Sequence, residues 1–266
     1  MKVGWIGLGQ IGEPMALRVL GAGHELVGHS RRADGREALV QAGARLTGSV
    51  IEAVAGAEVV GVCLFDDKQV KEALVDGGAL AALEPGAVMV LHTTGDPRVV
   101  EDLAARAPAG AMVLDATFSG AAAMAARGAL TLLIGGEAAA LEKARPVLSA
   151  YSDGLFHLGQ IGAGRRLKLL NNLLFAAQVS LSVEALAAAE RSGLDPDVAI
   201  KAMNRCSGAS YALNKFAVPQ SVDTVLAGLK PYLDKDVEAA RKAAADEGLD
   251  LSLLSGAARW GSGRPA

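Results

Sequence analysis

Residues 2–16 read KVGWIGLGQIGEPMA. The apolar run Val3–Ile6 has the length of a short buried strand. Gly7, Gly9 and Gly12 follow it directly as G-x-G-x-x-G, and the stretch with Pro14, Met15 and Ala16 reads as the opening of a helix. In that context each glycine meets a physical need. Gly7 allows a tight turn, Gly9 allows close backbone approach to a pyrophosphate, and Gly12 allows close helix–strand packing. The anion rests on the helix N-terminus. The segment Gly7-Leu8-Gly9-Gln10-Ile11-Gly12 therefore predicts dinucleotide binding and the first βα unit of a parallel sheet.

Outward from this unit, short apolar runs alternate with helical stretches as far as about residue 158. Strands are predicted at Lys2–Ile6, Glu25–Gly28, Val59–Leu64, Val88–His92, Met112–Ala116 and Leu130–Ile134. Helices are predicted at Pro14–Leu20, Arg36–Ala42, Gln69–Leu74, Pro97–Arg106 and Ala138–Ser149. Such alternation with short connections implies a mostly parallel sheet covered on both faces, a Rossmann-type α/β domain over residues 1–160. After Gly159–Gly164 no strand-like run remains. Residues 161–266 are expected to form an all-α domain, entered through a long interdomain helix over Arg165–Ser192 and broken again at Gly193–Pro196, Cys206–Gly208, Pro219 and Gly248.

Composition narrows the function classes. The chain has 266 residues, 51% hydrophobic but only 4% aromatic, and this Ala/Leu/Val content suits close-packed helices and short buried strands. A formal net charge of −3, with both signs interspersed, offers no face for a phosphate backbone, so nucleic acid is not an expected partner. Cys63 and Cys206 have neither metal nor redox spacing and are expected to be buried free thiols in a reducing cytoplasm. No metal is expected. The apolar stretch Leu167–Ala189 is interrupted by Lys168, Asn171, Asn172, Gln178 and Glu184, so it is expected to be a buried helix and not a membrane span.

The end of the second strand distinguishes the cofactors. An acidic residue there would bind the adenosine ribose; this chain has His29, Ser30, Arg31 and Arg32. A hydroxyl and two guanidinium groups suit a 2′-phosphate, which favours NADP(H) over NAD. The lesser reading makes Arg31 and Arg32 solvated loop charges and gives the ribose to Asp34, which sits late for the purpose. Beyond Gly159, Gly162 and Gly164, a spacing of three and four places Lys168, Asn171 and Asn172 near one another on a helix. A lysine beside amides suits proton transfer once desolvation lowers its pKa, or is a snorkelling lysine with capping asparagines. The stretch from Asp115 to Gly120 closes an apolar strand, where α/β sheets place ligands, and Ser119 with its neighbouring amides suits a carboxylate; Ser119-Gly120 is also common turn punctuation.

Taken together these segments resemble the β-hydroxyacid dehydrogenase family, over nearly the whole chain. The resemblance is carried by Gly7 to Gly12 with Pro14-Met15-Ala16, Thr93-Thr94 with Pro97, and Asp115-Ala116 with Ser119-Gly120. It continues through Gly162-Ala163-Gly164, Lys168, Asn171-Asn172, Glu184-Ala185, Ser210 and Lys235-Asp236. It implies hydride transfer between a nicotinamide and a hydroxyl-bearing carbon of a small, anionic substrate, with Lys168 as general acid and base. It further implies that Asn172 orients the substrate or Lys168, that Ser119 and the Gly120 amide hold a carboxylate, and that Lys235 closes over the cofactor. Leu64, Phe65 and Thr94 match positions that line the cofactor, and a homodimer is expected.

The chain departs from the family pattern at Thr117, where a proline is usual, at Ala121, where a second glycine is usual, and at His92, where an acid is frequent. His92 is expected to be a strand-end histidine packed by the sheet. Arg165 and Arg166 are compatible with a phosphonate or sulfonate substrate but are more simply solvated surface charges. An imine reductase is the close enzymatic alternative, although such enzymes typically lack the interdomain lysine. A non-catalytic NADP-binding protein would have no need of Lys168, Asn172 and Ser119 together.

Overall fold

The computed structural model describes residues 1–30, 36–218 and 220–258. Eight strands form one sheet: β1 (Lys2–Ile6), β2 (Glu25–His29), β3 (Arg45–Thr47), β4 (Val59–Val62), β5 (Val88–Leu91), β6 (Met112–Ser119), β7 (Leu130–Gly135) and β8 (Ser152–His157). Their order is β3-β2-β1-β4-β5-β6-β7-β8. All neighbours pair in parallel except β6 and β7, which are antiparallel. The chain leaves β1 to one side for β2 and β3, then crosses back to β4, so the order reverses at the β1/β4 junction. Ligands bind open α/β sheets outside the carboxyl ends of the strands at such a junction.

Strand alternation divides the core between the two faces. Val3, Trp5, Val59, Val88, Val90, Leu114 and Ala116 point to one face, where α1 (Gly12–Gly21) and α7 (Ala138–Leu148) cover them with Met15, Val19, Leu141 and Leu148. Ile6, Val60, Val62, Met89 and Leu91 point to the other. There α4 (Asp67–Lys71), the π-helical turn Glu72–Asp76 and α5 (Pro97–Arg106) contribute Val70, Leu74, Val100 and Leu103. Both faces being buried explains why these strands read as continuous apolar runs.

Every strand expected from the sequence is present, and β6 runs on to Ser119. The helix expected over Arg36–Ala42 is α2 (Glu37–Gln41). Additional to the expectation are the strands β3 and β8 and the short helices α3 (Val50–Val54) and α6 (Ala122–Arg127).

The chain divides into two compact units, Met1–Lys168 and Leu169–Ala266. The helix α8 (Ala163–Arg191) runs through that boundary. By length and composition α8 could cross a membrane, which corrects the expectation that its polar residues disqualify it. In the fold its Leu169, Leu173, Ala176 and Ala177 are buried with Leu233, Val237 and Ala240 of α11 (Val222–Asp246). Further along, Val179 and Leu186 pack with Ile200 of α9 (Pro196–Met203), Leu213 of α10 (Tyr211–Asn214) and Phe216. The helix α12 (Ser252–Ala257) completes the described second unit, which is helical throughout those residues. Helix α9 starts as the sequence predicts: Asp195 caps it through the Asp197 and Val198 amides, and Pro196 fills the first position, where no N–H is needed.

Candidate functional site

The register Ile6↔Val62↔Leu91↔Asp115 runs straight across β1, β4, β5 and β6, so the segments that follow the first three strands emerge side by side on one edge of the sheet. They carry Gly7 to Gly12, Leu64 and Phe65, and Thr94. The three motif glycines differ in what the chain itself demands. Gly7 has φ +97°, and a Cβ there would lie 2.2 Å from the Cys63 carbonyl; at Gly12 it would lie 2.0 Å from the Gly7 carbonyl. The protein's own packing requires both. A Cβ at Gly9 would meet nothing within 4 Å. The open space over Gly9, beside the N-terminus of α1, fits a pyrophosphate brought close to the backbone, and so the residues present fit a dinucleotide. Leu8 is buried beneath this loop, Gln10 is exposed and Ile11 half-buried.

Thr93 fixes the neighbouring loop: its hydroxyl accepts from the Leu64 amide (3.2 Å) and donates to the Leu64 carbonyl (3.1 Å), which holds the ends of β4 and β5 together. Phe65 is left exposed beyond it, with its amide donating to Gln69 Oε1 (3.2 Å). On the other side of β1, the Ser30 amide donates to the Thr47 carbonyl (2.9 Å), extending the pairing of β2 with β3 by one residue. Arg31 and Arg32, expected to hold a 2′-phosphate, and Asp34 lie outside the described residues.

The first turn of α8 is fastened to the sheet by β6. Asp115, Thr117 and Ser119 share one face of that strand by alternation. Asp115 Oδ1 accepts from the Gly162 amide (2.8 Å) and Oδ2 from the Arg165 amide (2.7 Å), so one buried carboxylate caps the helix start. Burial pushes its pKa up, against the lowering effect of those two amides and the Arg165 charge. The Thr117 hydroxyl donates to the Gly164 carbonyl (3.0 Å). The contact is close: a Cβ on Gly164 would lie 2.2 Å from the Leu133 carbonyl. Thr117, a departure at the sequence level, is thus buried and binds the helix. Ser119 and Gly120 are exposed just beyond it, and Lys168 lies one helical turn past Gly164, half-buried.

Arg165 corrects the reading of a solvated surface charge. It is fully buried, and its Nη1 donates to Asp67 Oδ1 (2.8 Å) and to the Asp96 carbonyl (2.8 Å). Arg166 is half-exposed and pairs with Glu101 (2.7 Å). Cys206 corrects a second expectation, being exposed. Cys63 is partly buried, and desolvation pushes its thiol up to about 12, which disfavours the thiolate near neutrality. His92 is a packed strand-end histidine as expected. Its Nδ1 lies 2.6 Å from the Ala116 carbonyl, its Nε2 lies 3.0 Å from the Tyr151 hydroxyl, and it stacks on Trp5. Desolvation lowers its pKa to about 4, outweighing the Ala116 hydrogen bond.

In the second unit Asn172 is buried and Asn171 exposed. Asn172 Nδ2 donates to Asp236 Oδ2 (2.6 Å) and its Oδ1 accepts from Asn171 Nδ2 (3.1 Å). Asp236 also lies 3.8 Å from the Lys235 ammonium, so one carboxylate ties two of the sequence-predicted site residues together. Sequence reading assigned no role to Asp67, Thr93, Asp96 or Asp236. Nothing in their local sequence signals partners that lie tens of residues away.

Residues 2–159 match the family described as the NAD binding domain of 6-phosphogluconate dehydrogenase. Residues 162–260 match that described as NAD-binding of NADP-dependent 3-hydroxyisobutyrate dehydrogenase. The chain is 38% identical over 218 residues to the NAD-dependent L-serine dehydrogenase of Pseudomonas aeruginosa, covering 81% of this chain and 73% of that one. It is 35% identical over 217 residues to a 3-hydroxyisobutyrate dehydrogenase of the same organism, covering 80% and 72%. Among solved structures, the 3-hydroxyisobutyrate dehydrogenase of Mycobacterium tuberculosis with L-serine superposes with a TM-score of 0.85 at 30% identity, covering 97% of this chain and 91% of that one. The glycine loop open at Gly9, the strand-end segment closed by Ser119 and the fastened lysine helix thus stand in a chain that belongs to the β-hydroxyacid dehydrogenases, NAD(P)-dependent enzymes acting on hydroxyl groups.

Proposed function

We propose that the protein interconverts a small β-hydroxy acid and the corresponding carbonyl compound, with NADP(H) as cofactor and Lys168 as the proton donor and acceptor. The observation that carries this reading is the fastening of the first turn of α8. Asp115 and Thr117 hold Gly162, Gly164 and Arg165 against β6, so that Lys168 and the exposed strand end Ser119-Gly120 both lead away from one hydrogen bond, Thr117 to Gly164.

Bound NADP(H) supplies or takes the hydride. In reduction the Lys168 ammonium gives its proton to the carbonyl oxygen, and in oxidation the neutral amine takes the hydroxyl proton, so charge at the oxygen is met as it develops. The Ser119 hydroxyl and Gly120 amide bind the substrate carboxylate, which fixes the reacting carbon. Asn172, anchored by Asp236, orients the substrate hydroxyl, and Lys235 binds the cofactor. Ser30, Arg31 and Arg32 bind the 2′-phosphate of NADP(H). The family description matched by residues 162–260, that of an NADP-dependent dehydrogenase, supports this preference, while the serine dehydrogenase relative is NAD-dependent. L-serine and 3-hydroxyisobutyrate, named for the relatives, both carry a carboxylate with a hydroxyl on the β carbon and head the substrate panel. The chain is further proposed to form a homodimer, consistent with exposed Leu174 and Leu181 on α8.

The test follows nicotinamide absorbance with NADP and NAD against L-serine and 3-hydroxyisobutyrate, and with the reduced cofactors against glyoxylate, succinic semialdehyde and tartronate semialdehyde. Ser119→Ala is expected to raise KM for the acid substrate about tenfold with a smaller change in kcat, as loss of uniform substrate binding requires. Turnover of none of these acids while the cofactor binds would remove the β-hydroxy acid assignment.

A further inference from the structure

Arg165 lies in the first turn of α8, and its side chain has no role in the chemistry above. Its guanidinium is fully buried, and only Nη1 makes hydrogen bonds; Nε and Nη2 are buried without a partner among the described residues. The two acceptors of Nη1 come from different loops. Asp67 opens α4, two residues after Phe65, and Asp96 caps α5, two residues after Thr94. The loops are joined to each other as well, because the Asp96 amide donates to Asp67 Oδ2 (2.8 Å). The Asp67 carboxylate fills the space beside Gly95, where a Cβ would lie 2.2 Å from Oδ2. One carboxylate and one guanidinium nitrogen therefore close a ring of three hydrogen bonds linking the loop after β4, the loop after β5 and the turn preceding Lys168.

The strand order states what those loops hold. A dinucleotide lies across the carboxyl ends of the strands with its adenosine over the β2 side, so its nicotinamide half extends over β4 and β5. We propose that Arg165 is a positioning residue that registers the nicotinamide half of the cofactor against Lys168, by locking the loops after β4 and β5 to the first turn of α8. The inference rests on the reading of Lys168 as the proton-transfer group. Arg165 is buried and Asp67 partly so; an ion pair taken out of water adds little net stability over a well-packed apolar pair, whereas a buried charge left without its partner is costly. Removing both charges together is therefore expected to spare the fold and lose the registration.

The test compares binding of the preferred reduced cofactor with binding of the matching ADP-ribose, which has the adenosine and diphosphate but no nicotinamide. The full-length protein is used, as wild type, Arg165→Lys, and the double variant Arg165→Met with Asp67→Leu. The double variant is expected to hold the ADP-ribose within about twofold of wild type and the reduced cofactor about tenfold more weakly. Its kcat is expected to fall roughly 100-fold, the scale of a small misplacement of reacting groups. Arg165→Lys, whose ammonium can supply from one nitrogen the two hydrogen bonds that Nη1 donates, is expected to restore most of both. Equal loss of the two ligands, or wild-type affinity for both in a folded double variant, overturns the proposal. The binding comparison decides this without turnover, so an absence of activity in the wild type would count against the functional reading and not against the clamp.

Discussion

Single residues separate what the fold needs from what the cofactor needs. Gly9 and Gly12 belong to the same motif, yet only Gly12 is crowded by its own chain. Gly12→Ala is expected to destabilise the protein by about 3 kcal/mol, since a rigid backbone carbonyl stands where the methyl must go. Gly9→Ala is expected to leave the melting temperature nearly unchanged and to weaken cofactor binding about tenfold. Thermal denaturation and cofactor titration of the two variants check this pair. Equal melting losses in both would contradict the division of labour.

His92 makes a prediction of a different kind. Its pKa is about 4 in the folded protein against an ordinary 6.5, so between these limits the unfolded chain binds more protons. Stability is full above the unfolded pKa and is lost as pH falls from about 6.5 towards 4, by on the order of 3 kcal/mol. Asp115 acts with the opposite sign. Its raised pKa stabilises the fold below the ordinary carboxylate range, and that contribution is lost as pH rises through the folded value. Urea denaturation from pH 7 to pH 4 is expected to show a falling stability, with the slope reduced in His92→Gln. The sequence discloses Gly7 and Gly12 because the tight turn and the close helix–strand approach are written in one short segment. It misplaces Arg165 because a charged residue at the head of a helix reads as solvated, and its partners Asp67 and Asp96 lie 98 and 69 positions away.

At the scale of elements, what the sequence conceals has a common cause. The two unexpected strands, β3 and β8, are the two edges of the sheet. An edge strand has one neighbour and a half-exposed pattern, so Arg45-Leu46-Thr47 and the polar segment from Ser152 to His157 carry none of the apolar continuity that marks β1, β4 and β5. The helices α3 and α6 have five and six residues, too few for helical periodicity to register. The join between β6 and α8 is only half legible. Gly162 and Gly164 mark a turn, but the requirement for Gly164 comes from β6 and β7, whose Asp115 carboxylate and Leu133 carbonyl leave no room for a Cβ. Thr117→Val, which removes the hydroxyl donated to Gly164 while keeping the shape, is expected to cost about 1 kcal/mol in urea denaturation. It is also expected to lower kcat more than KM, because the turn that carries Lys168 is loosened. A kcat unchanged at equal loss of stability would show that this tie matters only to the fold.

For the molecule as a whole, cofactor preference is a property of binding free energy and can be read without a substrate. A ligand held by the folded state alone stabilises it by about 2.7 kcal/mol at a concentration roughly 100 times its dissociation constant, equivalent to about 5 °C in a chain of this size. At equal concentrations NADPH is expected to raise the melting temperature more than NADH, and replacement of both Arg31 and Arg32 by alanine is expected to reverse or erase the difference. Fold class is legible in the sequence at this scale because strand–helix alternation and the glycine motif agree. The substrate is not, since its recognition depends on how separate segments converge.

The most direct test of the central claim is the single-turnover rate of hydride transfer in wild type and Lys168→Ala, measured by nicotinamide absorbance with cofactor binding titrated in parallel. The variant is expected to bind cofactor with wild-type affinity and to transfer hydride at least about 100-fold more slowly, the scale of a lost general acid. Hydride transfer at the wild-type rate in a variant with intact cofactor binding would contradict the assignment of Lys168 as the proton-transfer residue.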